Sequence, residues 1–329
     1  MGTIQASQYN TLQGTVANIL GQGSGSYASN PVVGSNQLFG YGQPVTSSQV
    51  ATKTEITVAQ WTALRNDILA CYYHQGLSLT LPAVPSKSTE ITQEDFNYYS
   101  AIVSAIDIDV NRLAFPASGQ YSGAIIDSPT KTNWTNIATH TVTVNFPSYT
   151  SNAQLVSSSD CARFFFNTGG RIEITPTIAG GGLVTYDHSA LLDQAWKTIF
   201  NRIGTIYLNY QSTSCSNNSY TSGPSQTVYV SSSIGVNNLT TSYQTILTST
   251  TASGGTYYPN QYVVNAKVNQ TPNPSQIILQ ILFEDVAQDN GIRNNEPIDS
   301  TITSTVAFTR ASGSYVSVVA PVAINSSFV

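Results

Sequence analysis

Charged side chains are scarce in this chain of 329 residues, because only 9% of the positions are Asp, Glu, Lys or Arg and the net charge is −5. An ordinary soluble domain has about 25%. The 12 basic residues are scattered, which excludes the clustered Lys and Arg that nucleic-acid binding requires. Disordered chains lack aromatic residues, whereas this one has 19 Tyr, 11 Phe and 3 Trp. We therefore expect a folded protein that depends on neutral polar side chains for solubility.

Long apolar runs and paired cysteines are also missing. No segment approaches the roughly 18 apolar residues of a membrane helix, and the N-terminus lacks the basic and apolar regions of a secretory signal. Cys71, Cys161 and Cys215 are far apart and odd in number, which is typical of free thiols in a reducing cytoplasm. No Cys and His spacing fits zinc. We predict no membrane role, no cofactor and no metal.

Catalytic motifs are absent as well, since neither a Gly-x-Ser-x-Gly elbow nor a Walker loop occurs. Each histidine has a structural interpretation: His140 as a solvent-facing strand position, His74 as a cation at a helix end, and His188 as the neighbour of an N-cap, Asp187. The acidic segment 284–299 has oxygen ligands suited to Ca²⁺, but its spacing matches no EF-hand loop, and a solvated loop is the preferred explanation. We predict that the protein is not an enzyme.

The first third of the chain contains three similar helix starts. They begin at Ile4, Ile56 and Ile91, each five positions before an aromatic residue. Thr57 with Gln60 fits a capping box, in which each side chain bonds the backbone of the other residue. Thr92 is followed by acids in the first turn, where the helix dipole favours them. The pattern predicts three helices.

The apolar positions after these starts are spaced +3, +4, +3, as in packed helices. They form either a bundle within one chain or contacts with neighbouring subunits. The candidate oligomer and docking contacts are Tyr9, Leu12, Val16, Trp61, Leu64, Phe96, Tyr99, Val103, Ile106 and Val110. The Gly-, Ser- and Asn-rich segment 21–54 is too long for an ordinary connection, so we expect it to lie on a neighbouring molecule.

The remainder, residues 116–329, has the alternation and turn residues of an antiparallel β-sandwich. Strands are predicted at 139–146, 170–175, 204–211, 226–231, 241–248, 257–268, 276–286, 300–309 and 313–322. One helix is expected at 188–203, with Trp196 and Phe200 on its apolar face. The aromatic run Arg163–Phe166 is assigned to core packing, with a partner contact as the alternative. The predicted fold class is α+β: a helical docking region at 1–115, then a sandwich of one or two subdomains.

Several segments together resemble virion structural proteins of tailed bacteriophages, of the type found in phages of cyanobacteria. The similarity lies in residues 9–12 (YNTL), 40–50 (GYGQPVTSSQV), 64–68 (LRNDI) and 162–172 (ARFFFNTGGRI). The segment 284–299 departs from the family pattern. The resemblance implies a tail, baseplate, neck or fibre component that is made in the host cytoplasm and resides in the virion. It implies no catalytic residues.

Composition agrees with an assembly role, because protein interfaces favour aromatic residues and disfavour Lys and Glu. The expected partners are other virion proteins and copies of the chain itself, in a symmetric trimer or hexamer. Three alternatives are a capsid decoration protein, a module that binds host-surface glycans and a hydrolase of the cell envelope. The sequence offers weak support for the glycan module, through its Tyr content, and none for the hydrolase.

Overall fold

The computed structural model describes residues 4–21, 40–75, 81, 91–106, 119–151, 154–179, 188–217, 231–250, 260–285 and 300–329. The helices are α1 (Ala6–Leu20), α2 (Val58–His74), α3 (Gln93–Ile106), α4 (Ser158–Asn167) and α5 (His188–Ile203). The strands are β1 (Tyr121–Asp127), β2 (Thr130–Lys131), β3 (Ile137–Asn145), β4 (Tyr149–Ser151), β5 (Gln154–Val156), β6 (Arg171–Ala179), β7 (Ile206–Leu208), β8 (Thr213–Cys215), β9 (Ser231–Ser232), β10 (Gln244–Thr250), β11 (Gln261–Val268), β12 (Gln276–Glu284), β13 (Thr301–Ala311) and β14 (Val322–Phe328).

The chain divides into two compact units. Unit 1 comprises Met1–Ser122, Ser148–Gly170 and Arg310–Val319, and unit 2 comprises Gly123–Pro147, Arg171–Thr309 and Ala320–Val329. The predicted division into 1–115 and 116–329 therefore differs from the observed one. Two later segments, which carry α4 and the stretch after β13, belong with the N-terminal helices.

Local capping chemistry explains where the helices of unit 1 begin. The backbone N–H of Gln60 donates to the Thr57 hydroxyl at 3.2 Å, and the Thr57 N–H donates to the Gln60 side-chain oxygen at 2.9 Å. Thr92 and Asp95 make the same exchange at the start of α3, at 2.9 and 3.1 Å. These reciprocal bonds satisfy backbone donors that have no partner within the helix. The predicted helix starts are thus confirmed.

All three pairs among α1, α2 and α3 are in contact, so the helices form a bundle within one chain. An aromatic cluster lies at its centre. The rings of Tyr9 and Trp61 are 6.2 Å apart, and those of Trp61 and Tyr99 are 5.1 Å apart and edge-on. The third helix contributes Tyr99 to this cluster, one turn beyond the predicted Phe96, which is half-buried.

The described part of the segment 21–54 packs on the helices of its own chain. The Asp67 carboxylate on α2 accepts from the backbone N–H of Ser47 at 2.8 Å and from the Thr46 hydroxyl at 2.7 Å. Asn10 on α1 bonds both backbone groups of Val50. The expectation that this segment lies on a neighbouring molecule is therefore wrong for residues 40–50. Residues 51–54 are exposed, and residues 22–39 lie outside the described residues.

Unit 1 also contains α4, which the sequence did not predict. Its N-cap is Ser157, whose hydroxyl accepts from the Asp160 N–H at 3.1 Å. The aromatic run Arg163–Phe166 lies in this helix and is buried throughout, so the core-packing interpretation is confirmed. The expectation of one helix after residue 115 is wrong, because α4 and α5 are both present.

Unit 2 consists of two antiparallel sheets with α5, which confirms the predicted α+β class with sandwich-like sheets. The first sheet has the order β1-β13-β6-β7-β8-β9, with β2 also on β13, and the second has the order β10-β11-β12-β3-β14. Burial alternates along β12, as expected of a strand with one face in the core. Helix α5 contacts β6 and β10 and places Trp196 and Phe200 about the Phe283 ring.

The end of the chain departs from the predicted strand at 313–322. Only one isolated bridge, between Ser312 and Ser317, forms there. The Arg310 guanidinium donates to the backbone oxygens of Ala311 and Val318, which folds the segment back on itself. The last strand is β14 instead. The predicted strand at 226–231 lies outside the described residues except for Ser231, which belongs to β9.

Candidate functional site

The predicted docking residues form the core of the helical bundle. Tyr9, Leu12, Val16, Trp61, Leu64, Tyr99, Val103 and Ile106 are all buried within the chain. Phe96 is half-buried, and Val110 lies outside the described residues. These side chains hold α1, α2 and α3 together and leave little surface for a partner. A docking surface must therefore be sought elsewhere on the molecule.

His140 is completely buried, which overturns its interpretation as a solvent-facing position. It lies on the inner face of β3 with Val142 and Val144, which are also fully buried. Side chains two residues apart point to the same face of a strand. Val142 and Val144 follow His140 at intervals of two residues, and this spacing was the sequence signal that could have placed His140 in the core.

Both ring nitrogens of His140 are engaged in hydrogen bonds. Nε2 lies 2.9 Å from Oδ2 of Asp127, and Nδ1 lies 2.8 Å from Oγ of Ser304. The Ser326 hydroxyl donates to the same Asp127 oxygen. Asp127 on β1 and Ser304 on β13 belong to the first sheet, whereas His140 on β3 and Ser326 on β14 belong to the second. The hydrogen bonds among them therefore connect the two sheets of unit 2. We call Asp127, His140, Ser304 and Ser326 the cross-sheet latch.

Burial lowers the pKa of His140, and the hydrogen bond and negative charge of Asp127 only partly oppose this effect. A neutral imidazole satisfies the latch, because Nε2–H donates to Asp127 while Nδ1 accepts the Ser304 hydroxyl proton. This tautomer is assigned from the bonding network. The latch therefore needs no charge on the ring at neutral pH.

A Ser, a His and an Asp in one chain of hydrogen bonds also occur in hydrolases, where the Ser attacks a substrate carbonyl. Here the Ser304 and His140 side chains are both completely buried. A nucleophile must reach its substrate, and neither side chain meets solvent. The geometry fits a link between two sheets better than an active site.

The latch also defines one side of unit 2, where both sheets end. β1 is the last strand of the first sheet and β14 is the last strand of the second, and the bond from Ser326 to Asp127 joins them. Four apolar side chains are exposed there: Ile125 (65%), Ile137 (50%), Val322 (45%) and Val329 (69%). We call this surface the open side. It consists of β1 from Gly123 onward, β14 and these four residues.

Charge is nearly absent from the open side. Residues 123–126 and 322–329 contain no Asp, Glu, Lys or Arg. Asp127 is the one charged residue in its two strands, and its carboxylate is directed to His140 and Ser326. The strands β1 and β14 thus combine exposed apolar side chains with a single charged side chain, Asp127. On the same edge of the first sheet, β2 adds Lys131.

Ile125 is the most informative residue of the open side. It lies on β1 two positions before Asp127, whose carboxylate is bonded to His140 and Ser326. The Ile125 side chain is 65% exposed, so neither sheet of unit 2 covers it.

Helix length and the clustering of metal-ligand side chains can be stated for the described residues. No helix among them is long and apolar enough to span a membrane. No group of three or more His, Cys, Asp and Glu in that part of the chain could hold a metal ion. Most of the acidic segment 284–299 lies outside the described residues, so its Ca²⁺ alternative stays a prediction, and Asp187 lies outside them too.

No protein-family model matches the chain, and neither a curated protein nor a solved structure matches it.

Proposed function

We propose that the chain is a non-enzymatic structural component of a tailed-phage virion, in the tail, baseplate, neck or fibre. It joins copies of itself and other virion proteins through surfaces that include the open side. The observation that carries the assembly role is the pair of uncharged strand edges with Ile125 and Val329 about two thirds exposed. The virion setting rests on the sequence resemblance to phage structural proteins.

Strand edges are normally protected in proteins that act alone. Lysines, prolines, inward charges, bulges or a covering loop prevent another strand from pairing with the exposed N–H and C=O groups. Each strand has one such device: β14 has a bulge between Ile324 and Ser327 with Asn325 at a φ of 52°, and β1 has the inward-directed Asp127. No Lys or Pro occurs within β1 or β14. Exposed apolar residues beside such edges mark a surface that binds another protein.

Labelling of intact particles with an antibody against the chain, viewed by electron microscopy, tests the virion assignment. Label on the tail, neck or baseplate supports the proposal. Label over the head favours the decoration protein instead. If neither intact nor partly disrupted particles bind the antibody, the virion assignment fails and the resemblance is misleading.

A module that binds host glycans is the second candidate, because unit 1 has an exposed aromatic pair. The Tyr315 side chain is exposed and its ring lies 5.0 Å from that of Tyr73. Aromatic faces are apolar surfaces on which a sugar ring can stack. Binding of host polysaccharide that is lost in Tyr315→Ala, and kept in Tyr243→Ala as a control, would favour this candidate.

A further inference from the structure

We infer that the open side of unit 2 is covered by a second copy of this chain, in a contact with two-fold symmetry that continues the sheets from one copy to the next. The inference rests on the proposed assembly role and names the partner and the surface. It assigns the contact to β1 and β14, whereas the sequence had suggested the apolar positions of α1, α2 and α3.

The position of the two edges is the first argument. Because the latch ties β1 to β14, both sheets end on the same side of the unit. A single extended segment from another protein could pair with one edge and would leave the other open. A copy related by a two-fold axis brings two edges of its own, so one self-complementary contact covers all four strands.

The distribution of charge is the second argument. A two-fold contact places a surface against itself, and like charges that face one another across paired strands are unfavourable. The open side limits this, because residues 123–126 and 322–329 have no charged side chain and Asp127 is bonded inward. Lys131 of β2 is the charged residue beside β1 on that edge of the first sheet. A strongly acidic or basic partner would find no complementary charge on these strands.

The exposed apolar side chains are the third argument. Ile125 on β1 is 65% exposed, so an apolar residue of the second copy would cover it. Beside β14, Val329 and Thr139 exchange backbone hydrogen bonds at 2.8 and 3.0 Å. Ile137 lies two residues before Thr139 on β3, so its exposed side chain and that of Val329 belong to the same end of the second sheet.

Sedimentation of the full chain, with Ile125→Lys and a matched control, tests the inference. We expect the wild type to have twice the chain mass of 35.2 kDa at micromolar concentrations. Ile125→Lys should be monomeric, because a two-fold contact brings two buried ammonium groups into an apolar interface. The control is Leu155→Lys, since Leu155 is 76% exposed and belongs to β5, a strand of unit 1 that pairs only with β4. It should remain dimeric.

Hydrogen exchange then tests whether the strand edges themselves are paired. The outward-pointing amides of β1 and β14 should be protected in the wild type and should exchange faster in Ile125→Lys. Amides of β12, which lies inside its sheet, should be equally protected in both proteins and report that the variant is folded.

A monomeric wild type, a trimer, or a dimer that Ile125→Lys leaves intact would each overturn the inference. Each of these results leaves the virion assignment standing, because particle labelling tests that independently.

Discussion

At the scale of single residues, burial determines the protonation state of a histidine near the end of α2. The His74 ring is completely buried and lies 4.7 Å from the Tyr41 ring, edge-on. Neither ring nitrogen has a hydrogen-bond partner of ordinary geometry among the described residues. Burial lowers the pKa of His74 to about 4, although the backbone of Thr168 slightly opposes the shift. His74 is thus a neutral core residue, and its predicted role as a cation at the helix end is wrong.

Acid should therefore destabilise the protein through His74. The unfolded chain binds a proton near pH 6.5, whereas the folded chain resists it down to about pH 4. Stability is present above pH 6.5 and is lost as the pH falls through this window, by about 3 kcal/mol. His74→Leu should remove this loss. Urea unfolding of both proteins at pH 7 and pH 4 measures it, and an equal loss in the two would show that another group is responsible.

The latch gives a second prediction at this scale. Ser304→Ala leaves Nδ1 of the buried His140 without its donor, which should cost about 1–3 kcal/mol of unfolding free energy. Thr305→Ala is the matched control, because Thr305 is the next residue of β13 and its hydroxyl makes a more exposed bond to Ser128, at 2.8 Å. It should change stability by less than about 0.5 kcal/mol. Equal losses in urea unfolding would contradict the role of the latch.

At the scale of elements, the helix starts that depend on neighbouring residues could be predicted from the sequence. The packing between distant segments could not. The starts of α2 and α3 depend on side chains three positions apart, which the sequence displays directly. In α4, Cys161, Phe164 and Phe165 follow the spacing of a helix and are all buried, but the aromatic run was assigned to core packing without a helix. Their burial depends on residues distant in sequence: a Cβ at Gly42 would lie 2.3 Å from the Phe164 ring.

The capping box of α2 should have a measurable effect on stability. Thr57→Ala removes the hydroxyl that accepts from the Gln60 N–H, and loss of such a cap costs about 1 kcal/mol. Thr62→Ala in the same helix is the control, because the Thr62 hydroxyl bonds only the Val58 oxygen one turn earlier, at 2.8 Å. Chemical denaturation should show a loss for Thr57→Ala alone. A similar loss for Thr62→Ala would mean that helix propensity, rather than the cap, is being measured.

At the scale of the whole molecule, the α+β class followed from the two hydrophobic periods in the sequence, whereas the open side did not. Which strand ends a sheet depends on pairing between distant segments: β3 lies between β12 and β14, more than 130 residues further along the chain. A sequence shows that β14 is an uncharged strand, but not that its outer edge is free. The spacing of the helices likewise did not decide between contacts within the chain and contacts between chains, and the structure places most of these residues in the core of the bundle.

The scarcity of charge leads to a prediction for the assembled protein. If β1 and β14 form the contact, no charged side chain on these strands faces the partner. Salt should then have little effect on the free energy of association, because it acts by screening charges. The dissociation constant of the dimer should then change by less than about threefold between low and high NaCl, or about 0.6 kcal/mol. Ile125→Lys should stay monomeric at every salt concentration, because salt screens buried charges little and does not offset the loss of their hydration. Sedimentation equilibrium of both proteins across a salt series measures these changes, and a wild-type dimer that dissociates as salt rises would show that ion pairs, rather than uncharged strand edges, hold it together.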